Sequence, residues 1–200
     1  MAGKKQFDMD TALDAAMIQF WRAGYAGTSL DDLSRATGLN RSSIYSSLGD
    51  KDTLFLRCLD RYAARYGDKY DAALSRAATE PLEAVRAFFD VTLDRIADPE
   101  LPDGCLIAQT AMAIPVLSPG IAAHAREALG RQRSRLRAAL KAGSLPDQDA
   151  EAFAEHVAAV NQSLAVMSRA GASPAQLVAV VGVTVDALSQ ALRARRTGPA

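Results

Sequence analysis

Apolar residues recur at three- and four-residue intervals along almost the whole chain, the spacing that turns one side of an α-helix toward a core. Leu13, Met17 and Phe20 form such a stripe near the N-terminus, and Trp21 and Tyr25 add aromatic mass beside it. No stretch sustains the two-residue alternation or the β-branched richness that a strand needs. The pattern predicts an all-α fold. Glycines, prolines and capping residues divide it into about nine helices, roughly at 9–24, 29–36, 40–46, 50–76, 80–98, 103–115, 119–143, 147–171 and 174–196.

The lengths are uneven, with short helices before about residue 50 and long ones after it. Helices of eight residues or fewer are marginal alone, so the short ones persist only inside a compact unit whose shape matters. The expected organisation is a head at 1–50 and a helical body at 51–200. No internal repeat is visible, and the tail from Arg193 is expected to fray.

Within the head, Gly24 stands where a helix is closed by a left-handed residue, and Thr28-Ser29 follows. Ser29 can cap the next helix with Asp32 three residues on, while Leu30 and Leu33 face inward. Gly38 breaks the chain after Thr37, and Asn40 can cap a third helix holding Arg41, Ser42, Ser43, Ile44, Tyr45, Ser46 and Ser47. Gly49 turns the chain again, Asp50 caps a long fourth helix, and Lys51 opens it.

Helix, tight glycine turn, helix is the helix-turn-helix spacing, in which the second helix enters the DNA major groove and offers its first residues to base edges. The side chains suit that task. Arg41 can donate two hydrogen bonds to guanine, the small serines 42, 43, 46 and 47 let the backbone approach and can bond bases or phosphates, and Lys51 can hold a phosphate. From spacing alone, the serines fit equally well as a solvated helix face and Gly38 as an ordinary turn.

The wider string adds to this. Residues Phe20 to Leu33, followed by Ala36 to Phe55, closely resemble the DNA-binding signature of the TetR family of repressors, and the resemblance covers about residues 9–60. It implies that Thr28 and Ser29 meet the DNA backbone at the start of helix two, that Arg41, Ser42 and Ser43 face bases, and that Tyr45 and Lys51 meet phosphates. It also implies a homodimer on palindromic double-stranded operator DNA, and a small-molecule effector, of a kind the sequence does not name, acting on the C-terminal domain. Three positions depart from the family's pattern: Ser42 stands where relatives often have proline, Leu48 where they often have phenylalanine, and Met9 where many have arginine. The first bears on base preference and the last on a phosphate contact.

Composition narrows the remaining possibilities. The 200 residues carry 23 basic and 23 acidic side chains, so DNA contact must be local, and a histone-like binder relying on bulk charge is disfavoured. Cys58 and Cys105 lie far apart without metal-ligand or disulfide-framework spacing, which fits a reducing cytoplasm. No signal-peptide core and no apolar run long enough for a bilayer is evident, so no membrane association is expected.

In the body, Phe88, Phe89, Leu93, Cys105, Gln109, Met112, Val160, Leu164 and Met167 could line a pocket, with Thr92, Gln109 and Asn161 as polar handles. The same apolar residues read equally as plain core. The Gly-Cys-Leu-Ile string from Gly104 resembles a TetR subgroup whose sixth helix begins Gly-Cys. A thiol in a first helical turn favours thiolate while Asp103 opposes it, so Cys105 is either a sensor or core packing. Leu177, Val181, Leu188 and Leu192 form a stripe on the last helix that a monomer would leave partly exposed, and they are assigned to the dimer interface. His124 and His156 are isolated, and Arg126, Arg131, Arg133, Arg135 and Arg137 wrap around a helix as a solvated surface.

The expected function is a ligand-responsive transcriptional regulator of the repressor type. No nucleophile–base pair, phosphate loop or metal cluster suggests an enzyme, and no cofactor is expected. The alternatives are an all-helical enzyme using the body as a substrate pocket and a scaffold whose head contacts protein.

Overall fold

The computed structural model describes residues 2–143 and 145–197, and the described residues form nine α-helices and one 3-10 turn. They are α1 (Ala2–Ala23), α2 (Leu30–Thr37), α3 (Arg41–Leu48), α4 (Lys51–Leu74), α5 (Pro81–Ala97), α6 (Leu106–Met112), the 3-10 turn Ile114–Val116, α7 (Pro119–Ala142), α8 (Asp147–Arg169) and α9 (Pro174–Thr197). No strand occurs among the described residues.

Three boundaries differ from expectation. α1 begins seven residues earlier. α6 is halved, because Gly104 is left-handed (φ +82°) and Cys105 extended, and the helix gives way to the 3-10 turn around Pro115. α9 continues through Arg193 to Thr197 instead of fraying there; residues 198–200 lie outside the described part of the chain.

The chain forms two compact units. The first comprises residues up to Arg65 together with Cys105–Ala128, and the second Tyr66–Gly104 together with the chain from Leu129 onward. The core of the first is aromatic: Phe20 meets Phe55 edge-on at 4.7 Å between centroids, and Trp21 meets Tyr62 at 5.0 Å. Met17, Leu33, Ile44, Leu48 and Leu54 complete it, all buried. Leu48 therefore fills a core position. Arg61 on α4 grips Asp14 on α1 through Nε and Nη2 at 2.7 and 2.8 Å. That hydrogen-bonded guanidinium holds the Asp14 carboxyl below its ordinary range, against the opposing effect of burial.

In the second unit α5 packs with α8 and α9. Phe88, Phe89, Val157 and Leu164 are buried there, together with Leu177, Val181, Val185 and Leu188 from α9. The expectation that a lone subunit exposes the α9 stripe is thus corrected for Leu177, Val181 and Leu188, which are only 2%, 5% and 4% exposed within it. Their spacing reports the seam with α5 and α8, and Leu192 at the end of the stripe is half-buried. Among the described residues, the large apolar side chains that α9 leaves exposed are Val178 and Val183. Among the described residues one helix, over Pro174–Arg193, also has the length and apolar character of a membrane span, contrary to expectation. Its buried stripe against α5 and α8 accounts for part of that apolarity.

Candidate nucleic-acid interface

Two short helices and their caps build the site. Ser29 has extended backbone, its Oγ accepts the Asp32 N–H at 3.1 Å, and its own N–H donates to Asp32 Oδ2 at 2.8 Å. This reciprocal pair satisfies two donors that the start of α2 would otherwise leave bare. α2 stops at Gly38, whose left-handed backbone (φ +70°) turns its N–H back to Ser34 O at 3.0 Å. Asn40 then opens α3, with Oδ1 accepting the Ser43 N–H at 2.8 Å. At the far end Gly49 adopts φ +89° and ψ −166°, a conformation open essentially to glycine alone, and Asp50 Oδ1 caps α4 through the Thr53 N–H at 2.8 Å.

Ile44 and Leu48 anchor one side of α3 in the core, which leaves the other side to solvent. Arg41, Ser42, Tyr45, Ser46 and Ser47 are exposed there, with Tyr45 51% accessible, and Ser43 is half-buried. α3 thus presents a cation, hydroxyls and a phenol on a surface free of large aliphatic side chains. Such a surface can bond base edges and phosphates. Lys51 lies beyond it with Nζ 4.3 Å from the centre of the Tyr25 ring. Burial lowers its pKa from the ordinary lysine value.

Thr28 corrects an expectation. Instead of facing DNA it is fully buried, and its hydroxyl donates to Gly24 O at 2.7 Å, tying the approach to α2 onto the end of α1. Ser29 remains exposed at its cap.

Three participants were not evident from the sequence. Tyr25 donates its hydroxyl to Asp52, which also accepts from Ser118 Oγ at 2.8 Å, and burial followed by the Asp52 hydrogen bond pushes the phenol up to about 12. Arg57 on α4 donates to Ser47 O at 3.2 Å. Asp31 on α2 receives Arg41 Nε at 2.9 Å and Nη2 at 2.6 and 2.7 Å. Each of these contacts spans at least ten residues, and none has a local sequence signal.

Comparison with known proteins decides the family. Residues 12–58 match the model of bacterial regulatory proteins of the tetR family, and residues 81–183 match that of the tetracyclin repressor-like C-terminal domain. The chain belongs to the TetR family. This TetR-family transcriptional regulator is 31% identical over 186 residues to the HTH-type transcriptional repressor ComR of Escherichia coli (strain K12), covering 90% of this chain and 89% of that protein. It is 26% identical to the HTH-type transcriptional regulator BetI of Rhizobium meliloti (strain 1021), over 93% of this chain and 90% of that protein. Among solved structures it is similar to cysteine mutants of the TetR-family regulator CifR complexed with 26 bp double-strand operator DNA, at 30% identity and a TM-score of 0.79, covering 89% of this chain and 95% of that one. A TetR-family regulator from Agrobacterium tumefaciens gives 26% identity and a TM-score of 0.80, covering 90% and 97%.

The pocket residues expected in this TetR-family body fall in both compact units. In the second, Phe88, Phe89 and Leu164 are fully buried and Met167 half-buried. Thr92 and Asn161 belong to a buried polar chain, in which Tyr70 Oη lies 2.8 Å from Thr92 Oγ1 and Thr92 donates to Asn161 Oδ1 at 2.6 Å. Leu93 and Val160 are half-buried. In the first unit Cys105 is the cap residue of α6, Gln109 is half-buried, and Met112 is 60% exposed. So exposed a methionine does not close an apolar cavity within its own unit. Three arginines of α7 pair with carboxylates, Arg133 with Glu155 at 2.7 Å, Arg135 with Asp71 at 2.8 Å and Arg137 with Glu151 at 2.6 Å. His124 Nε2 lies 2.9 Å from Asp60 Oδ1.

Proposed function

We propose that this regulator is a repressor that binds palindromic double-stranded operator DNA as a homodimer, reading bases with Arg41, Ser42 and Ser43 on α3 and holding phosphates with Tyr45, Ser46, Ser47, Lys51 and the Ser29 cap. The observation that carries the reading is the capped α2–α3 pair, with Ile44 and Leu48 buried beneath a polar, solvent-facing α3. Likeness to a named repressor and to a relative solved on operator DNA supports it.

Residues 1–50 serve as the DNA-reading head and 51–200 as the effector and dimerisation body, working in the cytoplasm without catalysis. A small-molecule effector meets the second unit of the body at Phe88, Phe89, Thr92, Asn161, Leu164 and Met167, and its binding alters DNA affinity. Dimerisation uses the apolar residues that α8 and α9 leave exposed, Val166, Val178 and Val183, in place of the buried Leu177, Val181 and Leu188.

Selection of bound sequences from random duplex DNA by the purified protein tests this. The expected product is an inverted repeat whose binding weakens steeply with salt. Enrichment of no sequence, or binding that ignores sequence at every salt concentration, would sink the proposal.

A further inference from the structure

We infer that Asp31, on the first turn of α2, is the positioning residue that makes Arg41 selective for guanine. The inference rests on α3 being the DNA-reading helix. Arg41 is the first residue of α3, and Asp31 is ten positions earlier on α2. The carboxylate takes Nε at 2.9 Å and Nη2 at 2.6 and 2.7 Å, so it engages the guanidinium side-on and leaves Nη1 outside the pair.

A planar guanidinium has five N–H groups in fixed directions. Capture of the Nε–Nη2 edge leaves the end-on edge, Nη1 with the outward N–H of Nη2. That edge forms the parallel fork matching guanine O6 and N7. Both side chains are 60% exposed, and an ion pair so open to water contributes little to holding a fold together. Its effect falls on geometry. Arg41 would otherwise sweep many rotamers, and an unrestrained cation beside DNA meets phosphates as readily as bases. Asp31 narrows that choice twice: it fixes the plane of the fork, and its negative charge repels phosphate, so the arginine is directed to a base edge instead of the backbone.

Loss of the carboxylate should therefore separate specificity from affinity. In Asp31→Ala, preference for guanine over the other bases at the position contacted by Arg41 is expected to fall roughly five- to tenfold. Affinity for non-specific DNA should hold or rise, because a negative charge has gone. Asp31→Asn keeps an acceptor for Nε–H and should retain part of the preference. In an Arg41→Ala background, Asp31→Ala should leave base preference unchanged, since the residue through which it acts is absent.

The experiment is sequence selection followed by competition binding on single-base operator variants, with wild type, Asp31→Ala, Asp31→Asn, Arg41→Ala and the double alanine variant, each checked for native helicity. Unchanged base preference in Asp31→Ala overturns the inference. Equal loss on specific and non-specific DNA overturns it too, because that pattern marks a merely structural contact. A wild-type protein that selects no sequence is a different outcome: it overturns the DNA-reading assignment of α3, and this inference with it.

Discussion

Cys58 is fully buried on α4, with its thiol directed at Leu13 O at 3.9 Å. Burial pushes it up to about 12 from an ordinary 9.0. The folded chain thus keeps a proton that the unfolded chain releases, so this contribution to stability is complete below pH 9.0 and is lost as the pH climbs toward about 12. Tyr25, raised from 10.0 to about 12, acts in the same direction. Denaturant melts between pH 8 and pH 11 should show stability falling, and Cys58→Ala should flatten the fall; an unaltered slope would show that Cys58 ionises as readily in the folded chain. The two cations proposed to face DNA divide differently. Arg41→Ala should cost roughly 5- to 150-fold on operator DNA while relaxing base preference, whereas Lys51→Ala should weaken all sequences alike and flatten the salt slope by about one unit. Competition binding across a salt series distinguishes them.

At the scale of elements, α2 and α3 have eight residues each, too short to hold themselves by propagation. Their ends carry much of the burden. Asn40→Ala removes the acceptor for the Ser43 N–H and should destabilise the head by about 1 kcal/mol. Gly38 tests the turn. Nothing lies within 4 Å of where its Cβ would sit, so the left-handed backbone, not crowding, sets the penalty. Gly38→Ala should cost about 1–2 kcal/mol and Gly38→Asn clearly less, because asparagine tolerates that conformation. Equal thermal shifts for the two variants would place the penalty elsewhere. Gly49 differs, since a Cβ there would come within 2.8 Å of Thr53 Cγ2, and side chains of either kind should be refused.

Across the whole molecule, α9 has a buried apolar stripe and two exposed valines. Leu188 belongs to the subunit core, so Leu188→Ala should cost about 2–5 kcal/mol of stability. Val178 and Val183 are 56% and 72% exposed, and Val178→Asp with Val183→Asp should shift sedimentation from dimer to monomer while the subunit keeps its helical circular dichroism. A double variant that remains dimeric at micromolar concentration would place the interface on another surface. Loss of the dimer should also weaken operator binding sharply, because a two-fold site rewards two heads held at a fixed separation.

Much of this molecule was written locally. Helix class, the Ser29, Asn40 and Asp50 caps and the breaks at Gly38 and Gly49 all depend on contacts within a few residues, so period and residue type were enough to place them. Which side of α3 faces solvent came from the packing, which buries Ile44 and Leu48. Tertiary packing decided the rest. Thr28 has the composition of a phosphate ligand, but the end of α1 buries it and takes its hydroxyl. The α9 stripe shows that a face is covered without saying by what, because α5 and α8 of the same chain bury leucine as well as a second subunit would. Thr92 and Asn161, 69 residues apart, become one buried chain only when α5 meets α8. Arg41 carries its own chemistry, but the direction of its fork was set by Asp31, a residue on another helix. Periodicity records that a side chain is buried or exposed; the partner that covers it, or holds it in one orientation, comes from distant segments whose approach no local pattern encodes.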